Sequence, residues 1–485
     1  MYGCAAFERL VLCLSCREAI SYVKVCPELR FERNEGDRAM TSFSNTDILS
    51  DDVRFMQRAI ELAKQGGGWV NPNPQVGAVF VKDGQIIGEG YHECFGKPHA
   101  ERNAIKNAQQ RILERSAGEG ASSSTDEATN SATLLAGSTL YVTLEPCCYH
   151  GKTPACTEAL IEHGISKVVI GSVDPNPQVA GKGIRLLKDA GIEVVSGFLQ
   201  AECDELNQIF FHYIKTKTPY VLLKYAMTLD GKIATHTGAS KWITGEAARA
   251  EVHQLRGRYG GIMVGIGTVL ADNPLLNGRL NGGHNPLRIV CDTHLRIPLD
   301  SQLVQTATKY PTLIATACTD IEKTAQLEAC GCEVVVVGGG SGSIEDIGSA
   351  SSNGANKMSA KTSESTTTGS PKKSVDLVAL MQLLGKRDID SVLIEGGATL
   401  NAAALEAGIV NKVRCYIAPK LFGGLGAPSP LSGRGVDVPE KAMQLSNTSV
   451  IKIGDDYCIE GEVAAQSTRT ANSFDTNFNT KREEG

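Results

Sequence analysis

Three residues in the first third of the chain have the types and order of a zinc-ligand set. His99 lies in the segment PHAE at 98–101, and Cys147 and Cys156 follow later in the chain. One imidazole and two thiolates leave the fourth tetrahedral position for water, as catalytic zinc sites require. Glu101, two positions after His99, is not needed as a ligand and is free to carry protons. The pattern predicts zinc-assisted attack of water on a carbon atom.

The order of these residues is that of the zinc deaminase signature, His-x-Glu followed by Pro-Cys-x-x-Cys, with one departure. Eight residues separate the two cysteines here, so the intervening loop must turn, which Gly151 and Pro154 allow while Lys152 adds a positive charge. Cys148 and His150 are rival ligands within this loop. Cys148 is disfavoured because adjacent side chains of an extended segment point to opposite sides. The alternative is that these thiols are simply buried, as free cysteines often are.

Composition restricts the classes of protein that the chain can belong to. Its 485 residues are 42% hydrophobic and 21% charged, which is typical of a globular protein of about two to four domains. A net charge of −6 and a pI near 5.9 argue against a broad basic surface for nucleic acid. No apolar run is long enough to span a membrane. Fifteen irregularly spaced cysteines indicate reduced thiols and one metal site, so we expect a cytoplasmic protein, with an organellar location left open.

Hydrophobic periodicity predicts two successive α/β patterns, the first of them a three-layer α/β domain. In the first pattern, Asp51 and Asp52 should cap a helix, Asp83–Gly84 should form a hairpin turn, and a helix should start at His99. Its predicted helices are 51–65, 157–163, 183–190 and 201–214, and its strands are 76–81, 86–91, 140–144, 168–171 and 192–196. The second pattern has predicted strands at 220–225, 261–264, 287–291, 312–316, 334–337, 391–394 and 412–417, and helices at 245–256, 377–384 and 400–407.

The two patterns define the expected domain organisation. Residues 1–46 are interpreted as a disordered or non-native extension, with Met40 as the favoured functional start, and residues 464–485 as a disordered tail. The zinc-site domain is placed at 47–216 and the second domain at 218–463, across a short polar join at 215–219. Segments 117–133 and 338–374 are low in complexity and are expected to be mobile insertions. Each domain is expected to fold alone.

Twelve segments of the chain carry a resemblance to a known family. They are NPNPQVGAV at 71–79, VKDG at 81–84, GEGYH at 88–92, PHAE at 98–101, YVTLEPC at 141–147, HGKTPAC at 150–156 and DPNPQVAGKG at 174–183 in the first half, and KYAMTLDGKIA at 224–234, SKWITG at 240–245, GTVLADNP at 267–274, IEGGATL at 394–400 and YIAPK at 416–420 in the second. Together they resemble the bifunctional riboflavin biosynthesis deaminase–reductase family over 48–463, apart from the two insertions.

The resemblance implies two consecutive reactions and two folds. It implies that a cytidine-deaminase-like N-terminal domain uses zinc to deaminate a diaminopyrimidinone ribosylamine 5′-phosphate at ring C2. It implies that a dihydrofolate-reductase-like C-terminal domain uses NADPH to reduce the ribosyl side chain to ribityl. Family members assemble through the reductase domain, so a homodimer or homotetramer is expected.

The resemblance also assigns roles residue by residue. It makes His99, Cys147 and Cys156 the metal ligands and Glu101 the proton carrier. It places a larger set against ligands: Asn73, His92 and Lys152 on the substrate of the deaminase; Lys224, Ser240, Arg256, Leu276, Arg279 and Glu395 on the substrate of the reductase; and Ala226, Trp242, Thr268, Asp272, Thr293 and Gly397 on NADPH. Many members have His in place of Tyr149 and Ser in place of Cys148. A tyrosine hydroxyl still donates a hydrogen bond, so these departures are interpreted as tuning.

Physical arguments support part of the predicted reductase site. Gly396 and Gly397 follow a strand and precede a helix, so their backbone amides can approach a phosphate. Glu395 at a strand's carboxyl end lies where α/β proteins bind ligands. Arg256 and Arg279 suit a phosphate through bidentate bonds, although exposed arginines often form only surface salt bridges. Trp242 could equally be a packing residue.

Three alternative functions compete with a bifunctional enzyme. A deaminase with a degenerate reductase domain is disfavoured because the charged residues expected of the second site are present. A nucleic-acid base editor with the same zinc chemistry is disfavoured by the acidic pI and the absence of a basic stripe. A metabolite-binding scaffold without catalysis is disfavoured by the intact His-x-Glu motif and both cysteines.

Overall fold

The computed structural model describes residues 45–118, 134–149, 154–177, 179–278, 285–338 and 374–464. The predicted extension, both insertions and the tail therefore lie largely or wholly outside the described residues. His150, Lys152 and Arg279 lie outside them as well. In the part of the chain that the structure describes, no helix combines the length and apolar character needed to cross a bilayer.

The N-terminal half is built on a five-stranded sheet of order β2-β1-β3-β4-β5. Strand β1 is antiparallel to β2 and β3, while β3, β4 and β5 run parallel. The strands are β1 (Gly77–Lys82), β2 (Gln85–Tyr91), β3 (Thr139–Leu144), β4 (Lys167–Ser172) and β5 (Glu193–Ser196), and the helices are α1 (Asn45–Lys64), α2 (Ala100–Gly118), α3 (Cys156–Glu162), α4 (Lys182–Asp189), α5 (Gln200–Leu206) and α6 (Gln208–Thr216), with a 3₁₀ turn at Gly67–Val70.

Strand β1 shows why this half has three layers. Phe80 packs in one core cluster with Ala104 of α2, whereas Val79 packs in another with Phe55 and Met56 of α1. Successive side chains of a strand point to opposite faces of the sheet, so β1 is covered by a helix on each side. The predicted three-layer α/β fold is confirmed for this half.

The hairpin prediction is confirmed, but two helix boundaries are not where we predicted them. Asp83 and Gly84 both have positive φ, at 50° and 72°, as a two-residue hairpin turn requires. Helix α1 begins at Asn45, so Asp52 lies inside it and accepts a hydrogen bond from the Tyr141 hydroxyl instead of capping. The predicted helix 201–214 is two helices that meet at Asn207, whose buried side chain bonds both backbone groups of Gln75.

The C-terminal half is built on a nine-stranded sheet of order β10-β9-β8-β7-β11-β6-β12-β14-β13. The seven strands from β10 to β12 in that order run parallel to one another. Strand β14 is antiparallel to both of its neighbours, β12 and β13. The strands are β6 (Tyr220–Thr228), β7 (Gly261–Gly265), β8 (Leu287–Cys291), β9 (Thr312–Thr316), β10 (Glu333–Val336), β11 (Ser391–Ile394), β12 (Lys412–Ala418), β13 (Leu445–Ile453) and β14 (Asp456–Val463), and the helices are α7 (Glu246–Arg258), α8 (Ile266–Asp272), α9 (Gln302–Gln305), α10 (Ile321–Ala329), α11 (Leu377–Lys386) and α12 (Ala398–Glu406), with a 3₁₀ turn at Pro439–Lys441.

The predicted strands of this half are confirmed to within a few residues, but β13, β14, α8, α9 and α10 were not predicted. Two buried clusters cover the opposite faces of the sheet, and alternate residues of β6 supply both of them. Leu222 packs in one cluster, and Val221 and Leu223 pack in the other. Burial on both faces is what a parallel sheet with helices on each side requires.

Among the described residues, several hydrogen bonds join the two halves. The Tyr213 hydroxyl of α6 donates to the carbonyl oxygen of Gly385 at 3.0 Å and bonds the Asp388 carboxylate at 3.1 Å. The Asn71 side-chain amide donates to the carbonyl of Arg258 at 3.0 Å, at the end of α7. That the halves fold separately remains a prediction, and separation would break these contacts.

Replacing Gly68 with Ala is expected to weaken the contact between the halves. A Cβ atom at Gly68 would lie 2.2 Å from the carbonyl oxygen of Gly257, so one backbone must move. Overpacking of this kind costs about 1–3 kcal/mol of unfolding free energy. Urea denaturation of Gly68→Ala tests it, with Gly426→Ala as the control because nothing lies within 4 Å of its Cβ position. Equal stability of the two variants would contradict the prediction.

Candidate active sites

His99, Cys147 and Cys156 form a cluster with the geometry of a metal site. The His99 Nδ1 atom lies 3.4 Å from the sulfur of each cysteine, and all three ligand atoms lie within 4.8 Å of one another. Zinc bonds of roughly 2.3 Å to sulfur and 2.0 Å to nitrogen place tetrahedral nitrogen and sulfur ligands about 3.5 Å apart. The donor set therefore fits zinc in both chemistry and distance.

Local structure brings these ligands together. His99 immediately precedes α2, Cys147 follows the end of β3, and Cys156 is the first residue of α3. The Cys156 amide donates to the Cys147 sulfur at 3.4 Å. The Cys156 side chain and His99 also hydrogen-bond Cys147 and lower the pKa of its thiol to about 4, which favours the thiolate that a metal binds.

Glu101 lies beside the cluster, in the first turn of α2, and is buried at 3% exposure. Burial raises the pKa of its carboxyl, and the neighbouring Cys147 raises it further. Glu101 also contacts the Cys156 side chain by a hydrogen bond. A raised pKa makes a carboxyl a better proton acceptor, as a group that takes up and returns a proton must be.

Asn73 and His92 form a hydrogen-bonded pair next to the ligands. His92 Nδ1 lies 3.1 Å from the Pro98 carbonyl and so donates to it, which makes His92 Nε2 the acceptor for the Asn73 amide at 3.2 Å. Burial lowers the pKa of His92, which agrees with a neutral ring. The Asn73 amide is thereby fixed with its Oδ1 available to a ligand.

One cavity of about 570 Å³ contains the cluster residues His99 and Cys147 together with Glu101. Asn73, His92 and Tyr149 line it too. The structure thus brings together all the residues predicted for the first reaction that it describes. Lys152 is not among the described residues.

Two acidic residues that line this cavity, Glu145 and Asp174, were not predicted as site residues from the sequence. Glu145 is buried and accepts hydrogen bonds from three backbone amides, those of Asp174, Gly181 and Ile184. It therefore fixes the segment that follows β4. Burial raises the pKa of Asp174 to about 6. Both residues lie in segments that carry the family resemblance, at 141–147 and 174–183, so the sequence could have indicated them.

Cys148→Ser is expected to keep the metal, whereas Cys147→Ser and Cys156→Ser are expected to lose it. Among the described residues, Cys148 is not part of the cluster of potential ligand atoms formed by His99, Cys147 and Cys156. Zinc content measured on the purified variants tests this. Loss of zinc from Cys148→Ser to the same extent would contradict the ligand set.

The predicted residues of the second site centre on a buried carboxylate. Glu395 Oε1 accepts from Arg256 Nε at 2.6 Å, and Oε2 accepts from Arg256 at 3.0 Å and lies 3.7 Å from Lys224 Nζ. Burial alone would raise the pKa of Glu395, but the charges of Arg256 and Lys224 outweigh it and lower the pKa to about 2. Burial lowers the pKa of Lys224, and Glu395 opposes that shift.

The predicted cofactor-side residues lie mostly at the carboxyl ends of the parallel strands, where α/β proteins bind ligands. Gly397 is the N-cap of α12, and a Cβ atom there would lie 3.6 Å from the Thr268 hydroxyl. Thr293 follows β8, Ala226 lies in β6, and Trp242 is 62% exposed with the Arg249 guanidinium over its ring. An exposed indole is not acting as a core residue, which favours a role in binding.

Two further residues predicted to contact the reductase substrate, Ser240 and Leu276, are held in place by neighbouring residues. The Ser240 hydroxyl donates to Asp272 at 3.3 Å, which links a substrate-side residue to a cofactor-side one. Leu276 is buried with φ of 52°. The neighbouring carbonyl, that of Leu275, accepts from the fully buried Arg288, so Arg288 holds this segment in place.

Comparison with known proteins agrees with both halves. Residues 49–172 match the cytidine and deoxycytidylate deaminase zinc-binding region, and residues 219–459 match the RibD C-terminal domain. The fold and the two sites thus define a zinc deaminase joined in one chain to a reductase. Its cofactors are zinc in the first half and NADPH in the second.

Individual relatives span nearly the whole chain. The riboflavin biosynthesis protein RibD of Actinobacillus pleuropneumoniae is 50% identical over 86% of this chain and 96% of its own length, and that of Escherichia coli is 36% identical over 84% and 98%. A solved diaminohydroxyphosphoribosylaminopyrimidine deaminase/5-amino-6-(5-phosphoribosylamino)uracil reductase from Thermotoga maritima is 36% identical, with a TM-score of 0.66, over 86% of this chain and 99% of its own. The chain belongs to the RibD family, the bifunctional deaminase–reductases of riboflavin biosynthesis.

Proposed function

We propose that the N-terminal half deaminates a diaminopyrimidinone ribosylamine 5′-phosphate, and that the C-terminal half then reduces its ribosyl side chain to ribityl. The observation that carries the first step is the cavity in which the metal cluster and the uncoordinated Glu101 lie together. The substrate named for the Thermotoga maritima relative is a phosphorylated aminopyrimidine of this class. The proposal keeps both activities in one chain.

In the first reaction, each residue has a role set by its position. His99, Cys147 and Cys156 would hold zinc, which as a Lewis acid makes water nucleophilic at neutral pH. Glu101 takes a proton from the attacking water as its oxygen bonds to ring C2, and passes it to the amino group. It then takes the proton of the new hydroxyl as the C–N bond breaks, so that a carbonyl remains and the amine leaves as ammonia. Asn73 Oδ1, fixed by His92, accepts a hydrogen bond from the pyrimidine and orients the ring.

In the second reaction, the residues of this chain bind and orient. NADPH supplies the hydride, and backbone amides at Gly397 and the start of α12 face its phosphates. Glu395 accepts hydrogen bonds from ribose hydroxyls, while Lys224 and Arg256 hold its carboxylate ionised. Arg279, which lies outside the described residues, remains a proposed phosphate contact.

A two-stage assay tests this function. The full chain is incubated with the diamino substrate, and ammonia release is measured before NADPH is added and its oxidation is followed. We expect ammonia first and NADPH oxidation second, in equal amounts. Ammonia release without NADPH oxidation would support a deaminase with a vestigial reductase domain.

We also propose that the protein is a cytoplasmic homo-oligomer, a dimer or a tetramer. None of the eleven described cysteines forms a disulfide bond, which supports a reducing compartment. Strand β13 lies at the edge of its sheet, and the apolar Val450 and Ile451 on it are 67% and 47% exposed. An open apolar edge strand favours association. Light scattering on the purified chain measures the oligomeric state.

A further inference from the structure

The cavity lined by the cluster residues His99 and Cys147 is also lined by residues outside the deaminase domain, and we call the part formed by Lys217, Gly385, Lys386 and Asp388 the far wall. Its lining continues from Asn73 and Pro74 to Phe210 and Tyr213 of α6, and then to Gly385 and Lys386 at the end of α11. The last two belong to the reductase half. The pocket of the first reaction is therefore built by both halves of the chain.

Two lysines meet on this far wall. Lys217 follows α6, and Lys386 is the last residue of α11, and both line the cavity. A Cβ atom at Gly385 would lie 2.0 Å from the carbonyl oxygen of Lys217, so the two backbones are in contact at this point. Tyr213 reinforces the approach, because its hydroxyl bonds the Gly385 carbonyl while its ring lies 5.4 Å from Lys217 Nζ.

The charges along the cavity are unevenly distributed. Three carboxyl groups line the cavity near the ligand cluster, those of Glu101, Glu145 and Asp174, and we call this part the inner end. The far wall carries the two lysines and one carboxylate, Asp388, which already accepts a hydrogen bond from Tyr213.

Neither lysine forms an ion pair with any residue that the structure describes. Two like charges that line one cavity repel one another, and an anion bound by both relieves that repulsion. The cavity thus fits a ligand whose inner end is a neutral, hydrogen-bonding ring and whose outer end is an anion.

We propose that Lys217 and Lys386 bind the 5′-phosphate of the deaminase substrate, so that the reductase half helps to select the substrate of the deaminase half. This inference rests on the proposed function of the first site. Lysine ammonium groups bind phosphate as point charges, and a phosphate monoester carries close to two negative charges near neutral pH. The ring end of the same substrate is placed by Asn73 and the proton chemistry by Glu101, so the two lysines act on binding and not on the chemical step.

Lys152 is the alternative source of positive charge for this phosphate. It lies outside the described residues, in the loop between the metal-ligating cysteines, and the family resemblance places it near the ribose phosphate. The two possibilities differ in one respect that can be measured. Only the far-wall lysines make deamination depend on residues beyond the deaminase domain.

The test compares the deamination of two substrates by variants of the full chain. Lys217→Ala, Lys386→Ala and the double variant are assayed by ammonia release with the phosphorylated substrate and with its phosphate-free counterpart. Each single substitution is expected to lower kcat/KM for the phosphorylated substrate about tenfold, by raising KM, as the loss of a hydrogen bond to a charged group should. The kinetics with the phosphate-free substrate should be unaffected. Lys386→Arg should restore most of the loss from Lys386→Ala.

Lys215→Ala is the matched control, because this exposed lysine lies on α6 but does not line the cavity. Unchanged NADPH oxidation with the deaminated intermediate shows that each variant is folded. If only Lys152→Ala discriminates between the two substrates, the far-wall subsite is wrong. If the unmodified chain releases no ammonia from either substrate, the proposed function fails instead, so the two failures are distinguishable.

Discussion

Glu101→Gln is expected to bind zinc normally and to lose deamination by about a hundredfold to ten-thousandfold, the range for removal of one general acid–base group. The amide is isosteric with the carboxylate but cannot accept and return a proton. Because Glu101 is buried beside the cluster without belonging to it, the ligand geometry should survive. Ammonia release and zinc content, measured on the same preparation, give both readings.

Two comparisons make this result specific. Glu93→Gln carries the same chemical change on an exposed residue of the N-terminal half and should keep full activity. NADPH oxidation with the deaminated intermediate should be unchanged in both variants. Zinc loss from Glu101→Gln, or near-normal deamination by it, would show that Glu101 is not the proton carrier.

Glu395→Gln is expected to abolish the reductase while the same chain continues to deaminate. The change removes a carboxylate bonded through both oxygens to Arg256 and adjacent to Lys224, so two buried cations lose their counter-charge. Removing one partner of a buried charge pair destabilises the folded arrangement around it by about 3–5 kcal/mol. If the active geometry of the reductase site bears that cost, NADPH oxidation falls by roughly a hundredfold or more. NADPH oxidation and ammonia release are measured in parallel.

Glu406→Gln is the control, since this exposed residue lies on α12, soon after Glu395 in the chain. Circular dichroism separates a folded but inactive reductase from an unfolded one. Equal losses of both activities would show that Glu395 maintains the fold of the whole chain and not the second site in particular.

The chemical groups of the first site were predictable because their types and spacing are restrictive. A histidine, a glutamate two positions later and two cysteines have few structural reasons to occur in that order, and the structure brings the three ligands within 4.8 Å. The strands were equally predictable, because short apolar runs such as those at 262–264 and 392–394 are typical of a parallel sheet buried on both faces.

What could not be predicted depends on contacts between distant segments. Tyr213 and Gly385 are 172 positions apart, and nothing in the local pattern of either segment indicates that they meet. The break between α5 and α6 was missed for a similar reason, since the apolar periodicity continues through Asn207. That residue ends the helix because its amide bonds the backbone of Gln75, 132 positions away.

The position of Tyr213 on α6 restricts how such a chain can be recombined with its relatives. A helix turns by about 100° and advances about 1.5 Å for each residue, so one residue inserted between Asn207 and Tyr213 would swing the tyrosine away from Gly385. A chimaera of two parents would therefore need to conserve the length of this segment, or take α6 and the end of α11 from the same parent. Insertions and deletions are better tolerated in surface loops. The length of α6 must be conserved, so a crossover between two parents should not be placed within it.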